Sequence, residues 1–175
     1  MFLLSFVSSV ISHKNLIITC SLIDNMYEKV IVPTDGSDLS LVGLKEGLKA
    51  AKAYDIPAVA VYVLTPDTMS GMAAHRFEDV GKETMDILRE HRKKEGKKVL
   101  EKVKKMGDDL GVTVKTKMEE GEPYEEITKL ASDNDIIYMC SHGRSGLSSL
   151  FIGSTTDRVV KHTNATVAVV KTKKK

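Results

Sequence analysis

From residue 27 onward, short apolar runs alternate with longer stretches in which apolar residues recur at helical spacing. The runs at 29–33, 58–64 and 135–140 are five to seven residues long and contain many Val and Ile side chains. Such runs are typical of buried strands rather than helices. Residues 112–116 alternate like a half-exposed strand, and residues 165–170 close the chain as a fifth strand.

Helical periodicity fills the first two intervals between these strands. Ser37 or Asp38 is expected to cap the first helix. The second helix is predicted from about residue 79 to residue 110, with Gly111 as its stop. Gly96 lies in a nearly all-charged part of this helix, where the helix could kink or break.

Two further helices follow, and one long connection precedes the second helix. Pro123 occupies the first position of the third helix. The fourth begins at Gly153-Ser154, where Ser154 is a good N-cap type and Asp157 falls in the first turn. Residues 65–78 are polar without a clear period, so we expect a mobile flap or a disordered segment there.

Strands that alternate with helices predict one α/β domain with a parallel sheet covered on both faces. Ligands of such open sheets bind outside the carboxyl ends of the strands, where the winding reverses. Asp35, Val63 and Ser141 lie at or just beyond the carboxyl ends of the first, second and fourth strands. The three loops that follow them should therefore meet at one edge of the sheet.

The stretch from Met139 to Asp157 joins a strand, a loop with Gly143 and Gly146, and a helix start at Gly153. Backbone N–H groups and the positive end of a helix dipole could hold an anion such as phosphate there. The spacing fits neither a Walker loop nor G-x-G-x-x-G. Alone, the pattern is equally compatible with a tight turn and a capped helix.

Composition narrows the partners, compartments and metal sites that the chain could have. The chain has 175 residues, is 42% hydrophobic and 29% charged, and carries a net charge of +2, so no nucleic-acid partner is expected. Cys20 and Cys140 form no disulfide framework, which favours a reducing, cytoplasmic compartment. The five histidines are scattered, so no metal site is predicted. The basic tail at 172–175 is expected to be solvated.

Residues 1–25 differ from the remainder of the chain. Their apolar piece at 2–11 is shorter than a membrane span, and neither a basic start nor a cleavage site for a signal peptide is clear. We expect an extra segment that is disordered or belongs to a mis-assigned start. A membrane anchor is the alternative, although no membrane partner is predicted.

Individual residues allow competing interpretations. Asp35 could orient a ribose or a metal, or form an Asx turn, and Arg144 could pair with phosphate or lie exposed. Ser141 and His142 are adjacent and would point to opposite faces of a strand, which argues against a hydrolase triad with Asp35. Cys140 has no activating neighbour and is expected to be inert packing.

Three motifs in order resemble the universal stress protein family. Residues 27–37 (Tyr-Glu-Lys-Val-Ile-Val-Pro-Thr-Asp-Gly-Ser) resemble the family's opening strand and loop. Ser141-His142-Gly143, nine residues, then Gly153-Ser154 resembles its nucleotide-binding signature. Gly121-Glu122-Pro123 resembles its G-x-P turn. The resemblance covers residues 26–171.

The resemblance implies a five-stranded parallel sheet in the order 3-2-1-4-5 and a homodimer through the last strand, 165–171. It also implies an ATP site in which Mg²⁺ or Mn²⁺ is held through the phosphates. Adenine and ribose would lie along Pro33, Thr34, Asp35 and Val63, with Met139 and Cys140 beside the nucleoside. The phosphates would contact Gly143, Gly153, Ser154, Thr155 and Thr156. Arg144 is added to this set from its position in the loop.

Cys140 departs from the family pattern, because it occupies the position of the signature's first glycine. If that position needs a positive φ, Cys140 would be strained and ATP binding weakened. We expect an ATP-dependent switch with an unidentified protein partner, no assigned catalytic residue, and at most slow or partner-dependent hydrolysis. The alternatives are a nucleotide-free dimeric interaction module of the same fold and an adenylate-handling enzyme.

Overall fold

A computed structural model describes residues 26–65, 82–141 and 152–171. The expectations for the N-terminal segment, most of the flap, the glycine loop and the basic tail fall outside these residues. The elements, in chain order, are β1 (Lys29–Pro33), α1 (Asp38–Tyr54), β2 (Ala58–Leu64), α2 (Lys82–Leu110), β3 (Val114–Glu120), α3 (Pro123–Lys129), β4 (Asp135–Cys140), α4 (Ser154–His162) and β5 (Thr166–Val170).

The strands form one parallel sheet in the order β3-β2-β1-β4-β5. This confirms the predicted fold class and strand order. Because β1 lies at the centre, the chain winds outward on one side through β2 and β3 and on the other through β4 and β5. The reversal therefore falls between β1 and β4.

Each face of the sheet carries its own apolar core, because successive side chains of a strand point to opposite faces. Val30 and Val32 of β1 pack on the face covered by α1 and α2. Ile31 packs on the other face, together with Ile127 of α3 and Val159 of α4. These central side chains are buried, as expected for a parallel sheet covered on both sides.

Helix α1 lies close to the backbone of β4. A Cβ atom placed on Gly43 would stand 2.9 Å from the Cys140 nitrogen and 3.0 Å from the Met139 carbonyl carbon. Only a glycine allows this approach, so Gly43 sets the distance between α1 and the carboxyl end of β4. Ser37 caps the helix as predicted, since its hydroxyl accepts a hydrogen bond from the Ser40 N–H at 3.1 Å.

Helix α2 departs from prediction in its middle. It runs without a break through Gly96, which is buried against the ring of Tyr62. The glycine marks a close packing contact rather than a break. The third strand begins at Val114, two residues later than predicted. Gly111 turns the chain at φ +72°, and the Val112 N–H still bonds to the Gly107 carbonyl at 2.9 Å, so Val112 belongs to the turn that ends the helix rather than to the strand.

A partly buried ion pair closes the amino end of the sheet. Lys29 Nζ of β1 lies 2.6 Å from Asp135 Oδ2 of β4, and the Asp135 side chain is fully buried. The same oxygen accepts hydrogen bonds from the Ser132 N–H and hydroxyl at 2.6 and 2.7 Å. The two central strands are therefore joined electrostatically at the edge opposite the expected binding site.

Over the part of the chain that is described, no helix has the length and apolar character needed to cross a bilayer.

Candidate functional site

A cleft of about 550 Å³ opens at the carboxyl edge of the sheet, at the reversal between β1 and β4. Ten of the twelve residues predicted from the sequence lie around it. They are Pro33, Thr34, Asp35, Val63, Met139, Cys140, Gly153, Ser154, Thr155 and Thr156. The other two, Gly143 and Arg144, lie outside the described residues. The fold thus brings residues from three distant parts of the chain to one place.

The loop after β1 is held by its own side chains. Asp35 Oδ1 accepts hydrogen bonds from the Ser37 N–H at 2.9 Å and the Ser37 hydroxyl at 2.6 Å, which is an Asx turn. The Gly36 N–H donates to Thr34 Oγ1 at 3.1 Å, and the Thr34 and Ser40 hydroxyl oxygens lie 3.0 Å apart. Asp35 is therefore fixed by the loop while it lines the cleft.

The start of α4 is tied to the end of β4. The Gly153 N–H donates to the Ser141 carbonyl at 2.7 Å, and Thr156 Oγ1 donates to the Cys140 carbonyl at 3.0 Å. Ser141 in turn donates its N–H to the Val170 carbonyl of β5 at 2.9 Å. The helix N-terminus is thereby placed at the mouth of the cleft.

The N-cap of α4 is Gly153, so the prediction that Ser154 caps this helix is wrong. No side chain caps it, and Ser154 is instead the first helical residue. The first bond within the helix runs from the Asp157 N–H to the Gly153 carbonyl at 2.9 Å. The N–H groups of Ser154, Thr155 and Thr156 precede that bond and have no partner within the helix. An uncapped, positive helix end faces the cleft, which suits an anion.

Cys140 is not strained. It is the last residue of β4, pairs with Val170 of β5, and is half-buried with a free thiol. Among the described non-glycine residues, only Asp55 has a positive φ. The strain considered for a non-glycine residue at this position of the signature is therefore absent.

Sequence reasoning missed several residues of the cleft. Ser40, Thr65, Arg92, Pro123 and Ile127 also line it. One signal was available for Arg92, because it lies four residues before Gly96 and seven before Val99, on the face of α2 that packs on the sheet. In residues 26–65, 82–141 and 152–171, no group of three or more His, Cys, Asp or Glu side chains is placed to hold a metal ion.

A family model described as the universal stress protein family matches residues 26–171. The chain belongs to this family. It is 37% identical over 154 residues to universal stress protein MJ0531 of Methanocaldococcus jannaschii. The match covers 87% of this chain and 86% of that protein.

Solved structures show the same fold. The structure of protein MJ0577, from the same organism, shares 33% identity and a TM-score of 0.67, with 86% of this chain and 99% of that chain covered. A universal stress protein solved in complex with cAMP shares 19% identity and a TM-score of 0.57, covering 84% and 98%. At that identity the likeness concerns the fold alone.

Proposed function

We propose that this universal stress protein binds ATP in the cleft and acts as a nucleotide-dependent switch. The observation that carries the proposal is the uncapped N-terminus of α4, which opens into a cleft of about 550 Å³. That volume falls within the range of about 300–1,000 Å³ usual for small-ligand sites. A universal stress protein of the same fold has been solved in complex with cAMP, so this fold can hold an adenine nucleotide.

In this proposal the nucleotide lies across the reversal of the sheet. The phosphates contact the N–H groups and hydroxyls of Ser154, Thr155 and Thr156, with Gly143 and Arg144 contributing from the signature loop. The nucleoside lies along Pro33, Thr34, Asp35 and Val63, against Met139 and Cys140. Among the described lining residues, Asp35 is the one carboxylate. Mg²⁺ or Mn²⁺ would therefore arrive with the phosphates rather than occupy a protein cage.

The switch acts through a protein partner and, in this proposal, through a homodimer formed by β5 in the cytoplasm. We assign no catalytic residue, and any hydrolysis is slow or depends on the partner. ATP has to change the affinity for that partner, since a ligand shifts an equilibrium only by its differential affinity for the two states.

A charge placed at the α4 N-cap tests the phosphate site. Gly153 has φ −56° and ψ 146°, a backbone conformation that Asp and Asn adopt readily at an N-cap. Gly153→Asp and Gly153→Asn should both retain the helix, but only Asp sets a negative charge where phosphate would lie. Calorimetric titration with ATP and Mg²⁺ should show binding in the parent and in Gly153→Asn. Gly153→Asp should lose at least about tenfold in affinity.

The titrations distinguish the proposed phosphate site from a phosphate site elsewhere and from a nucleotide-free protein. Equal affinity in the Asp and Asn variants would mean that the phosphates lie elsewhere. No binding of ATP by a folded parent would overturn the proposal and favour the nucleotide-free interaction module. Thermal unfolding of both variants controls for loss of the fold.

A further inference from the structure

Helix α2 extends well past the sheet on the side of the cleft. It has 29 residues, about 43 Å at 1.5 Å per residue, whereas the seven residues of β2 span about 23 Å. Residues 86–95 of α2 are all exposed or half-buried. Gly96 is the first residue after them that is buried. The first half of the helix therefore projects over the carboxyl edge.

Packing at Gly96 shows which residue of the projecting part enters the cleft. A Cβ atom on Gly96 would lie 2.8 Å from Cδ1 of Tyr62. Arg92 is one turn earlier on the same face of α2. Leu64 is two residues beyond Tyr62 on the same side of β2. Arg92 thus lies over the carboxyl end of β2, and it lines the cleft with Leu64 and Thr65.

Arg92 lies at the opposite end of the cleft from α4. Strand β1 separates β2 from β4, so the two ends are about 10 Å apart at the strand spacing of parallel sheets. Among the described residues that line the cleft, Arg92 carries the one positive charge. If phosphates occupy the α4 end, the part of the ligand that reaches Arg92 is the base.

We propose that Arg92 stacks its guanidinium on the nucleobase and so contributes to base binding independently of the phosphates. This rests on the proposed function of the cleft. Arg92 also makes an interaction within the protein. A guanidinium can keep such a partner at its edge, because its five donors lie in one plane and leave its faces open for stacking.

The test compares ligands that share the base and differ in phosphate number. Adenosine, AMP and ATP are titrated into the full chain at constant ionic strength, for the parent, Arg92→Met, Arg92→Lys and Lys94→Met. Stacking predicts that Arg92→Met weakens all three ligands by the same factor, about threefold to thirtyfold. Arg92→Lys should recover little of this, since an ammonium cannot stack as a plane. Lys94 is exposed two residues away, on a different helix face, and its variant should match the parent.

Two results would overturn the proposal while leaving the ATP site intact. A loss that grows from adenosine to ATP and is rescued by lysine would mean that Arg92 contacts phosphate. Parent-like affinities in both Arg92 variants would mean that it contacts no ligand. A parent that binds neither ATP nor AMP would instead overturn the proposed function, and the base contact with it.

Discussion

Cys140 shows how one residue can depart from a family signature without distorting the site. Its backbone is ordinary strand, paired with Val170, and its carbonyl is held by Thr156. Replacing it with glycine should relieve no strain. We predict that Cys140→Gly leaves ATP affinity essentially unchanged in calorimetry and lowers the free energy of unfolding by about 1 kcal/mol, the usual cost of glycine in a strand. A large gain in affinity would show that the thiol obstructs the ligand.

Asp135 adds an ion pair to the backbone ladder between β1 and β4. Its carboxylate is buried and has a charged partner in Lys29, while Asp135 Oδ1 has no hydrogen-bond partner. We predict that Asp135→Asn lowers the free energy of unfolding by about 2 kcal/mol in denaturant titration, because a neutral amide weakens the charge-assisted hydrogen bond from the partly exposed Lys29. Glu46→Gln, in the exposed pair with Lys49, should cost less than about 1 kcal/mol. Equal costs would contradict this account.

The same carboxylate predicts a pH dependence. Burial raises the pKa of Asp135, but the hydrogen bonds from Lys29 and Ser132 outweigh it and hold the pKa below its usual range. A carboxyl with a lowered folded-state pKa contributes fully above its unfolded pKa, about 3.9, and loses that contribution as the pH falls through the folded value. Stability measured below about pH 4 should therefore fall more steeply in the parent than in Asp135→Asn. Parallel curves would exclude this residue as the cause.

At the scale of elements, the contact between α1 and β4 shapes the wall of the cleft. Gly43→Ala would press a methyl group against backbone atoms of Met139 and Cys140, which cannot move aside as a side chain can. We predict a net loss of about 2 kcal/mol by thermal unfolding, since overpacking outweighs the gain in helix propensity of about 1 kcal/mol. ATP affinity should fall as well, because both residues line the cleft. Lys45→Ala, on the exposed side of α1, should change neither quantity.

Elements with strong local sequence signals were predicted with the correct first and last residues. The differences between prediction and structure come from packing between residues that are distant in the chain. The strands β1, β2 and β4 match their apolar runs, because both faces of each are covered and the runs end in turn residues. The role of Gly96 depends on Tyr62, which is 34 positions away in the chain, so no local pattern shows it. Arg92 was missed although it shares a helix face with Val99, because a charged stretch indicates solvent until the projection of α2 over the cleft is known.

At the scale of the whole molecule, the two open edges of the sheet differ in chemistry. Edge strand β3 carries four charged side chains, Lys115, Lys117, Glu119 and Glu120, which discourage pairing with another sheet. Edge strand β5, Thr166–Val170, has none. Its five residues are exposed or half-buried in the single chain. An apolar edge of this kind is a template for another strand, which supports the proposed homodimer through β5.

A proline at one position of β5 tests that dimer. The Val170 carbonyl accepts a bond from Ser141, so Val170 turns its backbone polar groups toward β4, and the neighbouring Val169 turns its own toward the free edge. Val169→Pro should therefore remove an outward donor without breaking the sheet, since edge strands tolerate proline.

Light scattering should give a mass near the 19.3 kDa of one chain for Val169→Pro, and twice that for the parent. Val169→Thr, which keeps the N–H and the branched side chain, should remain a dimer. Ala168→Pro would remove a bond to β4 and should destabilise the fold itself. A proline variant at position 169 that stays folded and dimeric would place the interface on another surface, since the outward N–H of that strand would then be dispensable.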